Sequence, residues 1–266
     1  MYLLVADETN TRPSLDVRFF IYGGIFFPIE KLMKLHDEVL VIRKRYGFRP
    51  DDELKFNTRT RPEHVTPDQH AAAKKEVVQV CTEIGCKFLA HVIHHGIIKN
   101  QDLDQQVEWA ANRVIGRFHT FLRQSGDDGI CILDNLPTRK QFRYLSEKFC
   151  RGLVLSSGRE VPLPRIKLYA CTCVNASHAN SAMDVVLGTF RYCVNNPSNQ
   201  RAAREMMASV VELMWHRKTS DVYYIGERGL IISPPFRKLR SDYPTFLSDY
   251  EGLIENINKL LSESES

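Results

Sequence analysis

The residues in this chain best suited to chemistry are acids that stand at the ends of apolar runs. LLVADE, residues 3–8, leads four apolar or small side chains straight into Asp7 and Glu8. GICILD, residues 129–134, ends in the same way at Asp134, and AMDVVLG places Asp184 among Met183, Val185, Val186 and Leu187. In DDELKFNT, Leu54 and Phe56 alternate with Glu53, Lys55 and Asn57, so an extended backbone would send Glu53 and Lys55 to the side opposite two apolar anchors. A carboxylate among apolar neighbours is costly unless a cation faces it. Each acid has a plain structural use on its own. Asp7 or Asp134 can open a turn, Glu53 can pair with Lys55, and Asp184 can cap a helix or face solvent. As a set, Asp7, Glu53, Asp134 and Asp184 are expected to ligate divalent metal. Two such ions about 3.5–4 Å apart clamp a phosphate, generate hydroxide and stabilise the leaving oxygen. Oxygen-only ligands suit magnesium or manganese, and Lys55 would orient the phosphate.

Short apolar runs that end in acids are strands buried on both faces, and α/β proteins bind ligands outside the carboxyl ends of such strands. The stretch 17–27, VRFFIYGGIFF, is rich in β-formers, with Gly23 and Gly24 permitting a close approach; with 3–8 it reads as an antiparallel hairpin. Apolar spacing predicts a helix over 30–46, closed by Gly47 and Pro50. Thr66-Pro67-Asp68 caps a helix over 70–84. A strand follows at 86–94, a helix at 103–123, a strand at 129–134 and a helix at 139–151. Residues 155–164 read as a loop, 166–174 as a strand, and 177–194 as the helix that carries Asp184. Beyond it come a helix at 201–216, a hairpin at 222–233 and a last helix at 246–261. The domain expectation is a unit over 1–200 with a helical and hairpin extension, 201–266, packed on it. Strands that alternate with helices after an antiparallel opening predict α/β with a mixed sheet.

The chain has 266 residues and is 43% hydrophobic, which suffices for a substantial core. No apolar run reaches membrane-spanning length and no secretory signal is evident, so a cytoplasmic protein with no membrane association is expected. Seven scattered cysteines read as reduced core thiols, with Cys171 and Cys173 alternating on one strand and no second pair to complete a zinc site. A net charge of +4 permits nucleic-acid binding without demanding it. Basic clusters lie at Arg43–Lys44–Arg45, at Arg59 and Arg61, at Arg139–Lys140 with Arg143, and at Arg237–Lys238 with Arg240. His178 is a candidate to support the metal ligands, whereas His94 and His95 at a strand end point to opposite sides. Phe19, Phe20, Tyr22, Phe26 and Phe27 suit core packing better than base stacking. Phosphate-binding loops, dinucleotide fingerprints and serine nucleophile elbows do not occur.

The order of D-E-T, a Gly-Gly strand, E-L-K-F, I-L-D-N and A-M-D-V-V-L-G resembles the bacterial and phage family known as domain of unknown function 3800. That family's pattern is D-E-S, a Gly-Gly strand, E-L-K, a mid-chain strand ending in Asp and a late A-D-L helix. The resemblance covers residues 2–194. It implies a ribonuclease H-like fold, a mixed sheet flanked by helices on both faces, with a two-metal nuclease-type site. Carried across, the site is Asp7, Glu53, Asp134 and Asp184, with Glu8 and Lys55 as accessories. Thr9 and Asn10 replace the family's Ser-Gly, and Met183 replaces the Ala before the last Asp. The resulting expectation is a magnesium- or manganese-dependent nuclease or related phosphodiester hydrolase, with nucleic acid as partner and a homodimer as a possible assembly. The alternative is a non-catalytic nucleic-acid- or protein-binding module on the same fold, serving phage–host conflict. Strand transfer by the same metal chemistry is a third reading.

Overall fold

The computed structural model describes all residues except 10, 12–16, 99–101, 135–140, 156, 174–175, 196–199, 220–221, 227 and 264–266. Asn10, the 135–137 end of the I-L-D-N motif and the basic pair Arg139 and Lys140 therefore lie outside the described residues.

Strand β1 (Tyr2–Thr9) runs antiparallel to β2 (Phe19–Pro28), and β2 runs antiparallel to β3 (Lys87–His94). On its other side β1 is parallel to β4 (Gly129–Asp134), which is parallel to β7 (Ile166–Thr172). A short strand β10 (Leu230–Ser233) lies parallel to β3 and completes a six-stranded sheet of order β10-β3-β2-β1-β4-β7. Alternation along the strands sorts the core into two layers. Leu3, Val5, Ile21 and Ile25 face α1 (Leu32–Arg45), α2 (Pro67–Ile84), α6 (His178–Asn195), α7 (Gln200–Leu213) and α9 (Leu247–Glu263). Leu4, Ala6, Phe20, Tyr22 and Phe26 face α4 (Leu103–Ser125) and Tyr144 of α5 (Gln141–Arg151). The fold class is the expected one, α/β with a mixed sheet and helices on both faces. Among the described residues no helix is long and apolar enough to cross a membrane.

Helix α2 starts where Thr66 accepts from the Gln69 amide and Gln69 answers to the Thr66 amide, a capping box with Pro67 at the first position, and it ends at Gly85 in the left-handed conformation. Two glycines decide how closely helix α6 approaches. Gly23 leaves room for Leu187, whose Cδ1 would stand 3.1 Å from any Cβ there, and Gly188 leaves room for Phe56, whose Cβ would stand at 2.3 Å. These gaps lay α6 down on β2 and let the 52–57 segment lie against α6.

Three local expectations are corrected. The 222–233 hairpin does not form. Val222–Tyr224 (β9) pairs instead with Arg217–Thr219 (β8), while the LIIS run, buried along its whole length, joins the main sheet. The 155–164 loop contains half of a small ladder, in which Leu153–Val154 (β5) pairs with Glu160–Val161 (β6). Cys171 and Cys173 do not share a strand, because β7 stops at Thr172. The sequence reading also missed two short helices, α3 (His95–Ile98) and α8 (Phe236–Asp242). All seven cysteines are free thiols; Cys81, Cys86, Cys131 and Cys193 are buried, and Cys150 and Cys173 are exposed. A thiol-reactive chromogen under native conditions should therefore titrate Cys150 and Cys173 first, with the buried four reacting only on unfolding. Rapid reaction of all seven in the native state would contradict this packing.

Candidate acidic site at the carboxyl edge of the sheet

The parallel register of β1 with β4 pairs Ala6 with Leu133. Asp7 and Asp134 are the next residues on adjacent strands, which lie about 5 Å apart. Both continue the alternation of residues that face α6, since Leu3 and Val5 of β1 lie in that layer and Ile130 and Ile132 of β4 pack against it. Asp184, on the second turn of α6, lies over the same edge; Asp134 acts electrostatically on both Asp7 and Asp184. Glu8 alternates to the α4 face with Tyr22 across from it on β2, yet its carboxylate reaches back to bond the Asp7 carboxyl, and its amide donates to Asp7 Oδ1 at 2.7 Å. Burial, reinforced by Glu8 and Asp134, pushes Asp7 up to about 9, so at neutral pH it holds a proton and donates it to Glu8. Glu8 and Asp184 are also raised, again first by burial; for Asp184, an amide hydrogen bond and the charges of Lys55 and Arg191 partly offset that rise.

The 52–57 segment is irregular backbone whose carbonyls are held by basic side chains of two helices. Arg43 of α1 donates to the Arg49, Pro50 and Asp52 carbonyls, His70 of α2 donates through Nε2 to the Lys55 carbonyl at 2.9 Å, and Lys74 donates to the Phe56 carbonyl at 3.2 Å. Leu54 and Phe56 are buried, as their alternation predicts. The Phe56 amide donates to Asp184 Oδ2 at 2.7 Å. Glu53 and Lys55 share the other side and pair at 2.8 Å, with Lys55 turned also toward the field of Asp184.

Asp7, Glu8, Asp134 and Asp184 are thus one electrostatic cluster, to which Glu53 is joined through Lys55. His178 is placed elsewhere. Its ring packs 4.6 Å from His36, and with Arg43, Asp51 and Asp52 it lines a cavity of about 450 Å³. Burial, then Arg43 and His36, lowers its pKa, so it stays neutral there. His94 stacks on Phe246 at 4.2 Å and lies 3.5 Å from Asp249, a packing role two strands away from Asp7. The sequence reading passed over Lys74 and Arg191, the cations that flank Phe56; the only available signal was their helical spacing beside Asp184 and the ELKF segment.

The donor set consists of hard carboxylate oxygens, the chemistry that magnesium or manganese takes, and the repulsion stored among Asp7, Glu8 and Asp134 is what a divalent cation relieves. In chemistry and charge the residues fit such an ion. Among the described residues no three His, Cys, Asp or Glu side chains stand at ligand spacing.

No family model matches the chain, and no curated protein matches its sequence. Among solved structures it is similar to ribonuclease H2 from Pyrococcus horikoshii OT3, at 11% identity and a TM-score of 0.43 over 78% of this chain and 86% of that one. It is also similar to Bst-RNase HIII in complex with Mn2+, at 12% identity and a TM-score of 0.42 over 79% of this chain and 62% of that one. A point mutant of Bst-RNase HIII aligns at 13% identity and a TM-score of 0.43 over 94% of this chain and 65% of the other. Overlaps of this size say nothing about the site, which is read from this chain's own side chains.

Proposed function

We propose that the protein is a magnesium- or manganese-dependent nuclease or related phosphodiester hydrolase, a member of the domain of unknown function 3800 family with a ribonuclease H-like fold. The observation that supports it is that Asp7 and Asp134 end two adjacent parallel strands while Asp134 acts electrostatically on Asp184 of α6, from positions far apart in the chain. Asp7, Asp134 and Asp184, with Glu53 at the margin, would hold the metal, which when bound supplies a hydroxide-generating Lewis acid and charge neutralisation at phosphorus. The rest is work for the chain itself. The Phe56 amide holds the Asp184 carboxylate through Oδ2, which leaves Oδ1 for a cation. Glu53 holds Lys55 beside the acids, where its ammonium orients a phosphate oxygen. Glu8 accepts the hydrogen bond that a protonated Asp7 donates.

The test is cleavage of single-stranded, duplex and hybrid DNA and RNA with magnesium, with manganese and with chelator. Wild type should cut at least one of these in a metal-dependent way, and Asp134→Asn should reduce the rate on the order of 10³-fold, the several kcal/mol that a metal contributes to the transition state. Equal rates in both proteins would remove Asp134 from the chemistry. Absence of both cleavage and metal binding would favour the second reading, a non-catalytic binding module in which Asp7 and Glu8 share a proton.

A further inference from the structure

Around Phe56, whose amide bonds Asp184, lies a cavity of about 320 Å³ lined by Phe56, Asn57, Thr58, Lys74, Arg191, Tyr192 and Met206. Two cations meet there over one aromatic ring. Lys74 Nζ stands 4.4 Å from the Phe56 ring centre and the Arg191 guanidinium 5.5 Å from it. They come from helices α2 and α6. Both are partly buried, and burial pushes each below its ordinary pKa, with Arg191 adding to the effect on Lys74. One carboxylate, Asp184, acts on both. Among the described residues, two positive charges against one negative leave an excess positive charge in a half-dry recess, a combination that is unfavourable until an anion enters. The donors exceed their partners as well. An ammonium has three N–H groups and a guanidinium five, and the Lys74 ammonium gives one of its bonds to the Phe56 carbonyl.

We propose that this cavity is a phosphate subsite for a nucleic-acid strand, holding a non-scissile phosphate while a neighbouring one lies at the acids. The proposal rests on the nuclease reading only for the course of the strand. Arg191 follows Asp184 by seven residues, two turns or about 10 Å along the helix, so a phosphate held between Lys74 and Arg191 is not the one at the metal. Arg and Lys facing the same recess recognise phosphate by fork and by point charge respectively. A volume at the small end of ligand cavities admits a phosphate with its sugar and not a large cofactor. The exposed Asn57 and Thr58 edge leaves the recess open to a strand.

The experiment measures equilibrium binding of the full chain, in chelator, to fluorescein-labelled twelve-nucleotide single strands by anisotropy across a salt series. Lys74→Gln and Arg191→Gln should each weaken binding about tenfold, and each should flatten the log–log salt dependence by about 0.7. Lys74→Arg should restore most of the loss. Thr58→Glu, at an exposed position that does not threaten folding, should weaken binding similarly by placing a negative charge at the mouth. A single neutral methylphosphonate moved along the strand should cost wild type affinity at one linkage and cost Lys74→Gln nothing there. Unchanged affinity and salt slope in folded Lys74→Gln, Arg191→Gln and Thr58→Glu would overturn the proposal. So would inorganic phosphate or a nucleoside monophosphate that competes as tightly as the strand, since the recess would then be a small-molecule site. Because no cleavage is measured, an inactive protein that binds in this way upholds the subsite and refutes only the nuclease reading; an active one whose binding ignores Lys74, Arg191 and Thr58 does the reverse.

Discussion

Asp7→Asn should abolish metal-dependent cleavage and at the same time make the protein harder to unfold. Asparagine reproduces the protonated acid. Its oxygen can accept from the Glu8 amide and its NH₂ can donate to the Glu8 carboxylate, the two bonds Asp7 makes without metal. It cannot supply the negative oxygen that a divalent ion requires, so the rate should fall on the order of 10³-fold or more. The stability gain follows from linkage. Asp7 is held at about 9 in the folded state against 3.8 in the absence of the fold. Below 3.8 both states are protonated and the shift costs nothing. As pH rises from there, the unfolded chain releases the proton while the folded chain keeps it. Wild-type stability therefore falls progressively until the folded group itself ionises, near pH 9. The asparagine variant lacks this slope. Urea unfolding at pH 5, 7 and 9 should show the variant's advantage growing with pH, reaching about 2 kcal/mol or more at neutral pH, which for a chain of this size is roughly 4–8 °C in Tm. Magnesium or manganese should close the gap by stabilising wild type alone. A variant that is less stable than wild type at pH 9 would mean that Asp7 is not crowded by acids.

Gly188→Ala should strongly destabilise the protein and disorder the acidic edge. The new Cβ would stand 2.3 Å from Phe56 Cβ and 2.4 Å from Phe56 Cγ, distances no packing tolerates. Helix α6 cannot retreat, because Leu187 beside it is seated over Gly23. The 52–57 segment must move instead, and the hydrogen bond from the Phe56 amide to Asp184, 2.7 Å long, goes with it. Overpacking costs about 1–3 kcal/mol and a lost bond to a charged acceptor about 1.5–3. The higher helix propensity of alanine returns about 1 kcal/mol. The expected net loss is about 1.5–5 kcal/mol by urea unfolding, with Glu53, Lys55 and Asp184 all displaced and any cleavage lost along with them. Adding Phe56→Gly removes Cβ together with the ring, and with them the clash, so the double variant should lose far less than the sum of the two single ones. Simple additivity would show that Gly188 and Phe56 do not meet.

The sequence by itself determined the strands and the acids at their ends. LLVADE and GICILD are short apolar runs that can only be buried, and period-two alternation already assigns Asp7 and Asp134 to ordered faces. It also determined the start of α2 through Thr66, Pro67 and Gln69, a signal contained within four residues. What only the tertiary structure decided were matters of partner choice over long separations. The LIIS run carries a strand signal, but nothing local says that it pairs with β3 rather than with 222–224. The ELKF segment carries the right alternation, yet it is held by side chains of two helices instead of a ladder. Lys74 and Arg191 read in sequence as ordinary solvated helix positions. They become a cation pair only because Gly188 admits Phe56 between helices whose residues are more than a hundred positions apart. Local propensity and periodicity act over a few residues and survive in the one-dimensional record. Charge crowding, and with it the Asp7 proton, arises from distances that exist only after the chain has folded.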